Sequence, residues 1–459
     1  TRLIDNYLKE WMAKPERKPL LLRGARQVGK SSSIRNLGKS FHNFIEVNFE
    51  RQPEYKALFS DNLVVGRIIS QISAIAGQQI VPGQTLLFFD EIQMCPEAIM
   101  SLRFFKEDMP QLHVVAAGSL LEFALEELPT FGVGRIHSMF MYPMTFDEFL
   151  YANGEKLLIE ERDRSSTVKP LSLPLHEKLV AYFRTYMLIG GMPEVVARWT
   201  NTHDYLQCQE LQDDIIVTYE DDFPKYRKKI DANLLRLTLR SAASQATKKF
   251  SYSAVGGGYR IDEVKKALEM LILAGLCVPV TRTDANGLPL GSESDMTYRK
   301  ILLFDPGIML RILNMAIGDV TDITTDILTE NASNLVNRGP MAELVAGLEL
   351  QRYHSPNIRP SLYYWTRLAK NAQAEIDYVA AANRTVLPIE VKAGMKGGMK
   401  SLWIFMREKD LKKGVRCSLE NFGTLSHEDA EAAKAVRNVT ICPLYAISML
   451  PRILQDSPA

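Results

Sequence analysis

Apolar segments alternate with helical patterns through the first 150 residues. Residues 20–22, 43–49, 85–89 and 114–117 are rich in apolar side chains, and we predict a strand for each of them. Runs of this kind are typical of strands that are buried on both faces of a parallel sheet. Between them, segments such as 61–77 have the apolar spacing of amphipathic helices. The pattern therefore predicts an α/β fold with a doubly wound parallel sheet.

The pattern changes in the middle of the chain. Residues 151–175 are polar and contain several serines and prolines, so we predict a surface insertion or linker there. Helical spacing continues from 176 to 245. An amphipathic helix at 261–274 then precedes strands at 276–280 and 300–304, with an Asn-Gly turn between them. A helix followed by a two-stranded wing is the order of a winged-helix module, which can bind DNA or dock proteins.

The last part of the chain is predicted to be a further α/β unit. Its strands are expected at 362–365, 376–380, 386–391 and 444–447. Together the patterns divide the chain into four regions, which we assign to residues 1–150, 151–245, 246–330 and 331–459.

Composition narrows the class of protein. The chain has 459 residues, 46% hydrophobic and 24% charged, which is typical of a soluble globular protein with several domains. Its net charge of +1 excludes nucleic-acid binding through overall charge, so any basic surface must be local. The five cysteines are scattered without a CxxC pair, which argues against a zinc site and suits a reducing compartment. With no signal segment and no apolar run of ~20 residues, we expect a cytoplasmic protein without a membrane partner.

A glycine-rich segment lies between the first predicted strand and a predicted helix. It matches the pattern G-x-x-x-x-G-K-[ST], and with the next serine it comprises Gly24, Ala25, Arg26, Gln27, Val28, Gly29, Lys30, Ser31 and Ser32. The glycines let the loop curl so that its amides point at phosphate oxygens. Lys30 is expected to reach the β- and γ-phosphates, and Ser31 to bind Mg²⁺. Arg26 either contacts a phosphate or faces solvent. The segment predicts binding of ATP and Mg²⁺.

The third predicted strand ends in two acidic residues. Asp90 is expected to support Mg²⁺, either directly or through water, and Glu91 to polarise the attacking water as a general base. Ser119 follows the fourth strand, where it contacts the γ-phosphate or the attacking water, unless it is part of a plain strand-to-helix turn. Because ligands of such sheets bind beyond the carboxyl ends of the strands, these residues are expected to meet the glycine-rich loop.

Several motifs occur in an order that resembles a known family. Besides the glycine-rich loop, they are Asp90-Glu91-Ile92-Gln93, Ala117-Gly118-Ser119, Gly134-Arg135, residues 143–149, residues 190–194 and residues 304–307. The series resembles the AAA-type P-loop ATPases of bacteria and archaea that carry an uncharacterised nuclease-like C-terminal domain. The resemblance covers nearly the whole chain. It implies an AAA-like core, a helical and winged-helix middle region, and a C-terminal restriction-endonuclease-like fold.

The resemblance also suggests a role for one arginine. Arg135 is expected to sense or stabilise the γ-phosphate, either in cis or toward a neighbouring subunit of a homo-oligomer. The alternative is an ordinary surface arginine in a Gly-Arg turn.

A second group of charged residues lies near the C-terminus. Glu390 and Lys392 are two apart on a predicted strand and share a face, and Asp377 lies on the preceding strand of a hairpin. The group resembles the PD-(D/E)xK nuclease signature, in which Glu343 takes the place of the helix acid, although no proline precedes Asp377. Such residues bind a second divalent metal and position a hydrolytic water, with Lys392 in the catalytic set. An exposed ion pair on a strand is the alternative.

Local charge suggests a nucleic-acid partner. Residues 352–416 contain 13 Lys and Arg against 5 Asp and Glu, and Tyr363, Tyr364 and Trp365 lie among them. Such a surface can follow the phosphate backbone of DNA. A solvated basic face above core aromatics is the alternative.

Three functions remain open from the sequence. The first is an Mg²⁺-dependent ATPase that controls a DNA-directed C-terminal domain. The second is a metal-dependent nuclease that the ATPase core regulates. The third is a signalling or docking ATPase whose C-terminal domain is inert.

Overall fold

The computed structural model describes residues 2–127, 134–225, 230–313, 338–368, 374–394, 398–429 and 435–456. Within them the strands form two sheets.

The first sheet contains five parallel strands. They are β1 (Leu20–Arg23), β2 (Asn43–Asn48), β3 (Thr85–Asp90), β4 (His113–Ala117) and β5 (His137–Phe140). They lie in the order β2-β3-β4-β1-β5. The four strands predicted for this part of the chain are confirmed. β5 was missed because it has only four residues, of which two are polar.

Helices cover both faces of this sheet. They are α1 (Ile4–Ala13), α2 (Lys30–Gly38), α3 (Ala57–Ser60), α4 (Val65–Ala76), α5 (Pro96–Asp108) and α6 (Leu121–Glu127). Leu86 and Phe88 of β3 pack into the core on one face, whereas Leu87 and Phe89 pack into the core on the other. Burial on both faces explains the unbroken apolar run in this strand. The predicted α/β fold is confirmed for this region.

A helical region follows the first sheet. Its α-helices are α7 (Phe146–Ala152), α8 (Lys156–Asp163), α9 (Leu173–Ile189), α10 (Pro193–Thr202), α11 (Tyr205–Asp222), α12 (Ala232–Ser244), α13 (Ile261–Leu273) and α14 (Pro306–Ile312). The interpretation of 151–175 as a linker was wrong at α8. Leu158 and Ile159 are buried there, and the buried guanidinium of Arg162 pairs with Asp147 of α7. This helix was not recognised from its polar composition, because part of its buried contact with α7 is made by the charged side chain of Arg162 and not by apolar side chains.

The second sheet has eight strands. They are β6 (Cys277–Thr283), β7 (Ser294–Leu303), β8 (Leu362–Thr366), β9 (Glu375–Ala382), β10 (Thr385–Val391), β11 (Lys413–Ser418), β12 (Gly423–Asp429) and β13 (Ala435–Pro443). Their order is β12-β13-β11-β10-β9-β8-β6-β7. The accompanying helices are α15 (Arg338–Arg352), α16 (Lys400–Glu408) and α17 (Leu450–Asp456). Asn383 and Arg384 both have positive φ in the β9–β10 turn, as a two-residue hairpin requires.

The hairpin predicted as a wing belongs to this second sheet. β6 pairs with β8 in parallel, with Val280 opposite Leu362, so β6 and β7 form one edge of the eight-stranded sheet. The boundary predicted after residue 330 therefore divides strands that share a sheet. Residues 314–330 lie outside the described residues.

One predicted strand is wrong. Residues 444–447 belong to a 3₁₀-helix, Leu444–Met449, in which Leu444, Tyr445 and Ile447 are buried. A short apolar run does not distinguish a buried strand from a buried helical turn, and this run follows Pro443 at the end of β13.

Candidate nucleotide site

The glycine-rich loop joins the carboxyl end of β1 to the first residue of α2. Gly24 has φ 139° and Gly29 has φ 98°, conformations that L side chains rarely adopt. A Cβ atom on Gly24 would lie 2.1 Å from the carbonyl oxygen of Met141. The loop curvature at this position therefore depends on glycine. The start of α2 then directs backbone amides toward the loop, as a phosphate site requires.

Lys30 is buried inside the loop. Its ammonium donates hydrogen bonds to the carbonyl oxygens of Gly24, at 2.8 Å, and Ala25, at 2.7 Å. Burial lowers the pKa of Lys30 to about 8, although the nearby carboxylates of Glu91 and Asp90 oppose that shift. The lysine therefore lies within the loop, next to both acidic residues that the sequence singled out.

Ser31 and Asp90 are in direct contact. The Ser31 hydroxyl donates to Oδ1 of Asp90 at 2.9 Å, and the Asn48 side-chain amide donates to Oδ2 at 3.2 Å. Burial raises the pKa of Asp90, while the hydrogen bond from Ser31 lowers it. A hydroxyl and a carboxylate are hard oxygen ligands, so this pair fits a magnesium ion.

Glu91 is held beside Asp90 by two side chains. It has a left-handed backbone conformation, with φ 50°. Its Oε2 accepts hydrogen bonds from the amide of Gln93 and from the Ser119 hydroxyl, the latter at 3.3 Å. The structure thus brings Ser119 into contact with Glu91, and both residues lie at the carboxyl edge of the sheet. The orientation of the Glu91 carboxylate is fixed, as a residue that positions water requires.

Arg26 is partly buried and contacts the helical region. Its guanidinium pairs with the buried carboxylate of Asp222 at the end of α11. Its carbonyl oxygen accepts a hydrogen bond of 2.6 Å from the hydroxyl of Tyr219 on the same helix. The sequence left Arg26 between a phosphate contact and a solvent-facing position, and in the structure its side chain takes part in this ion pair. The loop is anchored to α11.

The other loop residues occupy different positions. Gln27 has φ 61°, Val28 is fully buried and Ser32 is exposed on α2. The Val28 carbonyl oxygen accepts a hydrogen bond of 2.7 Å from the guanidinium of Arg2, which also pairs with Glu148 at 2.8 Å.

Arg135 lies at the opposite edge of the sheet. It precedes β5, whose first residue, His137, is opposite Leu20 at the amino end of β1. Its guanidinium pairs at 3.1 Å with Glu107, near the end of α5, and both side chains are about half exposed. The glycine-rich loop follows the carboxyl end of β1. The structure therefore does not bring Arg135 to this site within one chain.

Three site residues escaped the sequence analysis. Asn48 ends β2 directly opposite Asp90, so the register of a parallel sheet was the signal that could have found it. Gln93 was quoted only as part of a motif. Arg2 gave no local signal, because it contacts residues 26 and 146 positions away.

The remaining motifs meet in a buried polar junction, which comprises Met144, Tyr186, Gly191, Asp305, Glu349 and Arg352. Asp305 accepts a hydrogen bond of 2.6 Å from the Gly191 amide. Met144 donates its amide to the Gly191 carbonyl at 2.6 Å. Arg352 donates to the carbonyl oxygen of Met144 and to the Tyr186 hydroxyl. Motifs near 144, 191 and 305 thus connect α7, α9, α14 and α15.

The predicted C-terminal residues converge on one face of the second sheet. Each predicted metal ligand has a partner in the chain: Glu343 pairs with Lys300, Asp377 accepts from the Val391 amide, and Glu390 pairs with Lys392. Among the described residues, no group of three or more His, Cys, Asp or Glu side chains is arranged to hold a metal ion. With these partners in place, the residues do not fit the second metal.

The basic segment is less available than its composition indicates. Arg352 and Arg416 are buried, and Arg367 pairs with Glu408 at 2.8 Å. Tyr364 and Trp365 are core residues, with 1% and 4% of their surface exposed. The alternative of core aromatics is correct for these two side chains. Arg384, Lys400 and Lys412 remain exposed.

The parallel sheet, the glycine-rich loop and the acidic strand end together define a P-loop domain. Consistent with this class, residues 16–150 match the family model described as AAA domain. Residues 180–317 and 338–445 match two models described as domains of unknown function, DUF8612 and DUF4143. Residues 16–150 are therefore an AAA-type P-loop ATPase domain.

Solved structures show more distant likenesses. A Walker-type ATPase of Pyrococcus abyssi is 16% identical, with 68% of this chain and 94% of that chain covered and a TM-score of 0.42. The Orc1 protein of Aeropyrum pernix, solved in complex with DNA, is 13% identical. The match covers 70% of this chain and 93% of the Orc1 chain, with a TM-score of 0.30. Similarity at this level carries no argument about function. None of the curated proteins is significantly similar to this chain.

In the described part of the chain, no helix combines the length and the apolar character needed to span a bilayer.

Proposed function

We propose that the chain is an Mg²⁺-dependent ATPase. The contact between Ser31 and Asp90, at 2.9 Å, carries this proposal, because it joins the P-loop to the acidic strand end. Ser31 and Asp90 hold the magnesium ion, and Lys30 binds the β- and γ-phosphates. The ion, when bound, neutralises charge that develops on the phosphates.

Glu91 takes the role of the water-positioning residue. Its Oε2 already accepts from Gln93 and Ser119, so the other carboxylate oxygen remains to accept a proton from water. Ser119 keeps Glu91 in this orientation and acts through it. The buried setting strengthens each of these electrostatic contacts.

A matched pair of lysines, one at each end of α2, tests the proposal. Lys30→Ala removes the buried ammonium from the phosphates, and we expect ATP hydrolysis to fall by about 100-fold or more. Lys39→Ala changes an exposed lysine just beyond α2 and should leave turnover unchanged. A steady-state phosphate-release assay on the full chain measures both. An unchanged rate in Lys30→Ala would remove the assignment.

We further propose that nucleotide state is coupled to DNA binding by the C-terminal region. The exposed residues Arg384, Lys400 and Lys412 support this, because phosphate contacts need free cations. Replacing all three with Ala should weaken DNA binding and reduce its salt dependence. A salt slope that is unchanged in the triple variant, or a DNA-independent ATPase rate, favours a docking ATPase with an inert C-terminal region instead.

We also propose that Arg135 acts on the nucleotide of a neighbouring subunit. Its position at the amino edge of the sheet and its exposed side chain support a role in trans rather than in cis. This role requires a homo-oligomer.

A further inference from the structure

A buried lysine crosses one face of the second sheet beneath α15. Lys300 lies on β7, an edge strand, and its side chain is 1% exposed. Its ammonium is 5.0 Å from the ring centroid of Tyr364 on β8. It then reaches Oε1 of Glu343 at 2.8 Å and Oε1 of Glu375 at 2.6 Å. Carboxylates from α15 and β9 therefore hold one cation that the chain itself supplies.

One of these carboxylates, Glu343, was predicted as a metal ligand, and the other two predicted ligands, Asp377 and Glu390, lie on β9 and β10. The C-terminal acidic cluster comprises Glu343, Glu375, Asp377 and Glu390. Glu375 and Asp377 are two apart on β9 and therefore share a face. Glu390 of β10 lies one step beyond the paired residues Ile389 and Tyr378, next to Asp377. Four acidic side chains and one buried ammonium therefore lie close together on one face of the second sheet.

The partners of the cluster leave little room for an added ion. Oδ2 of Asp377 accepts the Val391 amide at 2.7 Å, so part of that carboxylate is committed to the backbone. One oxygen of Glu390 pairs with Lys392, while Oε2 of Glu390 is buried without a partner. A carboxylate engaged in this way has lost part of its capacity to bind a cation.

The ammonium of Lys300 lies between two carboxylates of opposite charge, those of Glu343 and Glu375. A divalent cation in the same position would be repelled by it at close range.

We propose that the ammonium of Lys300 occupies the position in the C-terminal acidic cluster that a divalent cation would need. The chain thus carries an internal cation where a nuclease would carry a metal. The lysine also ties the β6–β7 hairpin to α15 and β9, so its role is structural. This inference is independent of ATP hydrolysis at the P-loop.

Removing the ammonium tests the proposal. Met is similar to Lys in length and carries no charge, so Lys300→Met should free the cluster. We expect the full-length variant, without nucleotide, to bind about one more Mn²⁺ per chain than the wild type, since carboxylates prefer hard cations. Electron paramagnetic resonance of free Mn²⁺ measures the stoichiometry. Any Mn²⁺ at the P-loop is common to both proteins and cancels in the comparison.

Two controls make the result specific. Lys178→Met removes a surface lysine that is paired with Glu155 and should add no Mn²⁺. Adding Glu343→Gln to Lys300→Met should abolish the extra ion. Equal stoichiometry in Lys300→Met and wild type, with both folded by circular dichroism, overturns the proposal.

A second measurement does not require Lys300 to be replaced. Wild type and Asp377→Asn should bind the same amount of Mn²⁺, because the cluster already holds its cation. A wild-type Mn²⁺ ion that disappears in Asp377→Asn, or metal-dependent DNA cleavage that disappears with it, contradicts the inference even if Lys300→Met fails to fold.

Discussion

Lys30 is a lysine whose charge depends on its surroundings. Burial lowers its pKa to about 8 from an ordinary value of 10.5, and the neighbouring Asp90 and Glu91 only partly offset that effect. Phosphate groups bound next to the ammonium would raise the pKa again, because negative charge favours the protonated form. We therefore expect nucleotide binding to be accompanied by proton uptake above about pH 8.

This linkage predicts a pH dependence of ATP affinity. Below pH 8 Lys30 is charged in the free protein, and affinity should change little. Above that pH the free protein loses the proton that the bound form retains, so affinity should fall by at most about tenfold per pH unit. Equilibrium titration with a fluorescent ATP analogue between pH 7 and 10 measures the slope. Lys30→Arg, which stays charged throughout, should bind with a flatter profile; equal slopes would contradict the explanation.

Part of the site can be recognised from single residues. The P-loop and Asp90-Glu91 follow local patterns, because each depends on its neighbours in the chain and on a strand that ends there. Arg26 shows what local patterns cannot predict. Its partner, Asp222, lies 196 positions away, and no local signal connects the two.

At the scale of elements, the buried polar junction depends on close backbone contact. A Cβ on Gly191 would lie 2.1 Å from the carbonyl oxygen of Met144 and 2.8 Å from its amide. Asp305 and Arg352 hold the surrounding segments in place. The glycine is therefore required because the turn before α10 touches the segment before α7.

This contact predicts a strong effect of a single methyl group. Gly191→Ala should destabilise the protein by about 1–3 kcal/mol or more, because the backbone of Met144 must move. Gly66→Ala is the matched control: Gly66 lies in α4 with open space around its Cβ position, so alanine should stabilise the helix by about 0.5–1 kcal/mol. Chemical unfolding curves measure the change in the free energy of unfolding for both variants. A Gly191→Ala protein as stable as wild type would show that the segments separate easily.

Helices and strands were predicted correctly where apolar runs and turn residues marked them clearly. β1 to β4 and the β9–β10 turn follow from apolar runs and turn residues. The strand expected at 444–447 was wrong because a short buried apolar run is equally compatible with a helical turn. The sheet membership of β6 and β7 could not be predicted, since it depends on pairing with β8, more than 70 residues later.

At the scale of the whole molecule, the position of Arg135 bears on whether one chain or two chains form the complete nucleotide site. The arginine lies at the amino edge of the first sheet, while the P-loop lies at the carboxyl edge. One chain therefore supplies the phosphate-binding loop but not this arginine.

Mixing two inactive variants tests a shared site. We expect Arg135→Ala to lower turnover by about 1000-fold, the typical contribution of a catalytic arginine. A mixture of Arg135→Ala and Lys30→Ala should regain activity, because one chain then offers an intact loop and the other an intact arginine. Arg103→Ala, which changes an exposed arginine on α5, should behave as wild type. A mixture no more active than its components would exclude the shared site.

The turn at Gly275 connects two distant parts of the fold. It lies between α13 and β6, and its backbone packs against Ala25 of the P-loop, because a Cβ atom on Gly275 would lie 3.4 Å from the Ala25 side chain. β6 continues from this turn into the eight-stranded sheet. The P-loop therefore touches the segment from which the eight-stranded sheet starts, and a C-terminal fragment that begins at residue 331 would lack β6 and β7, which border that sheet.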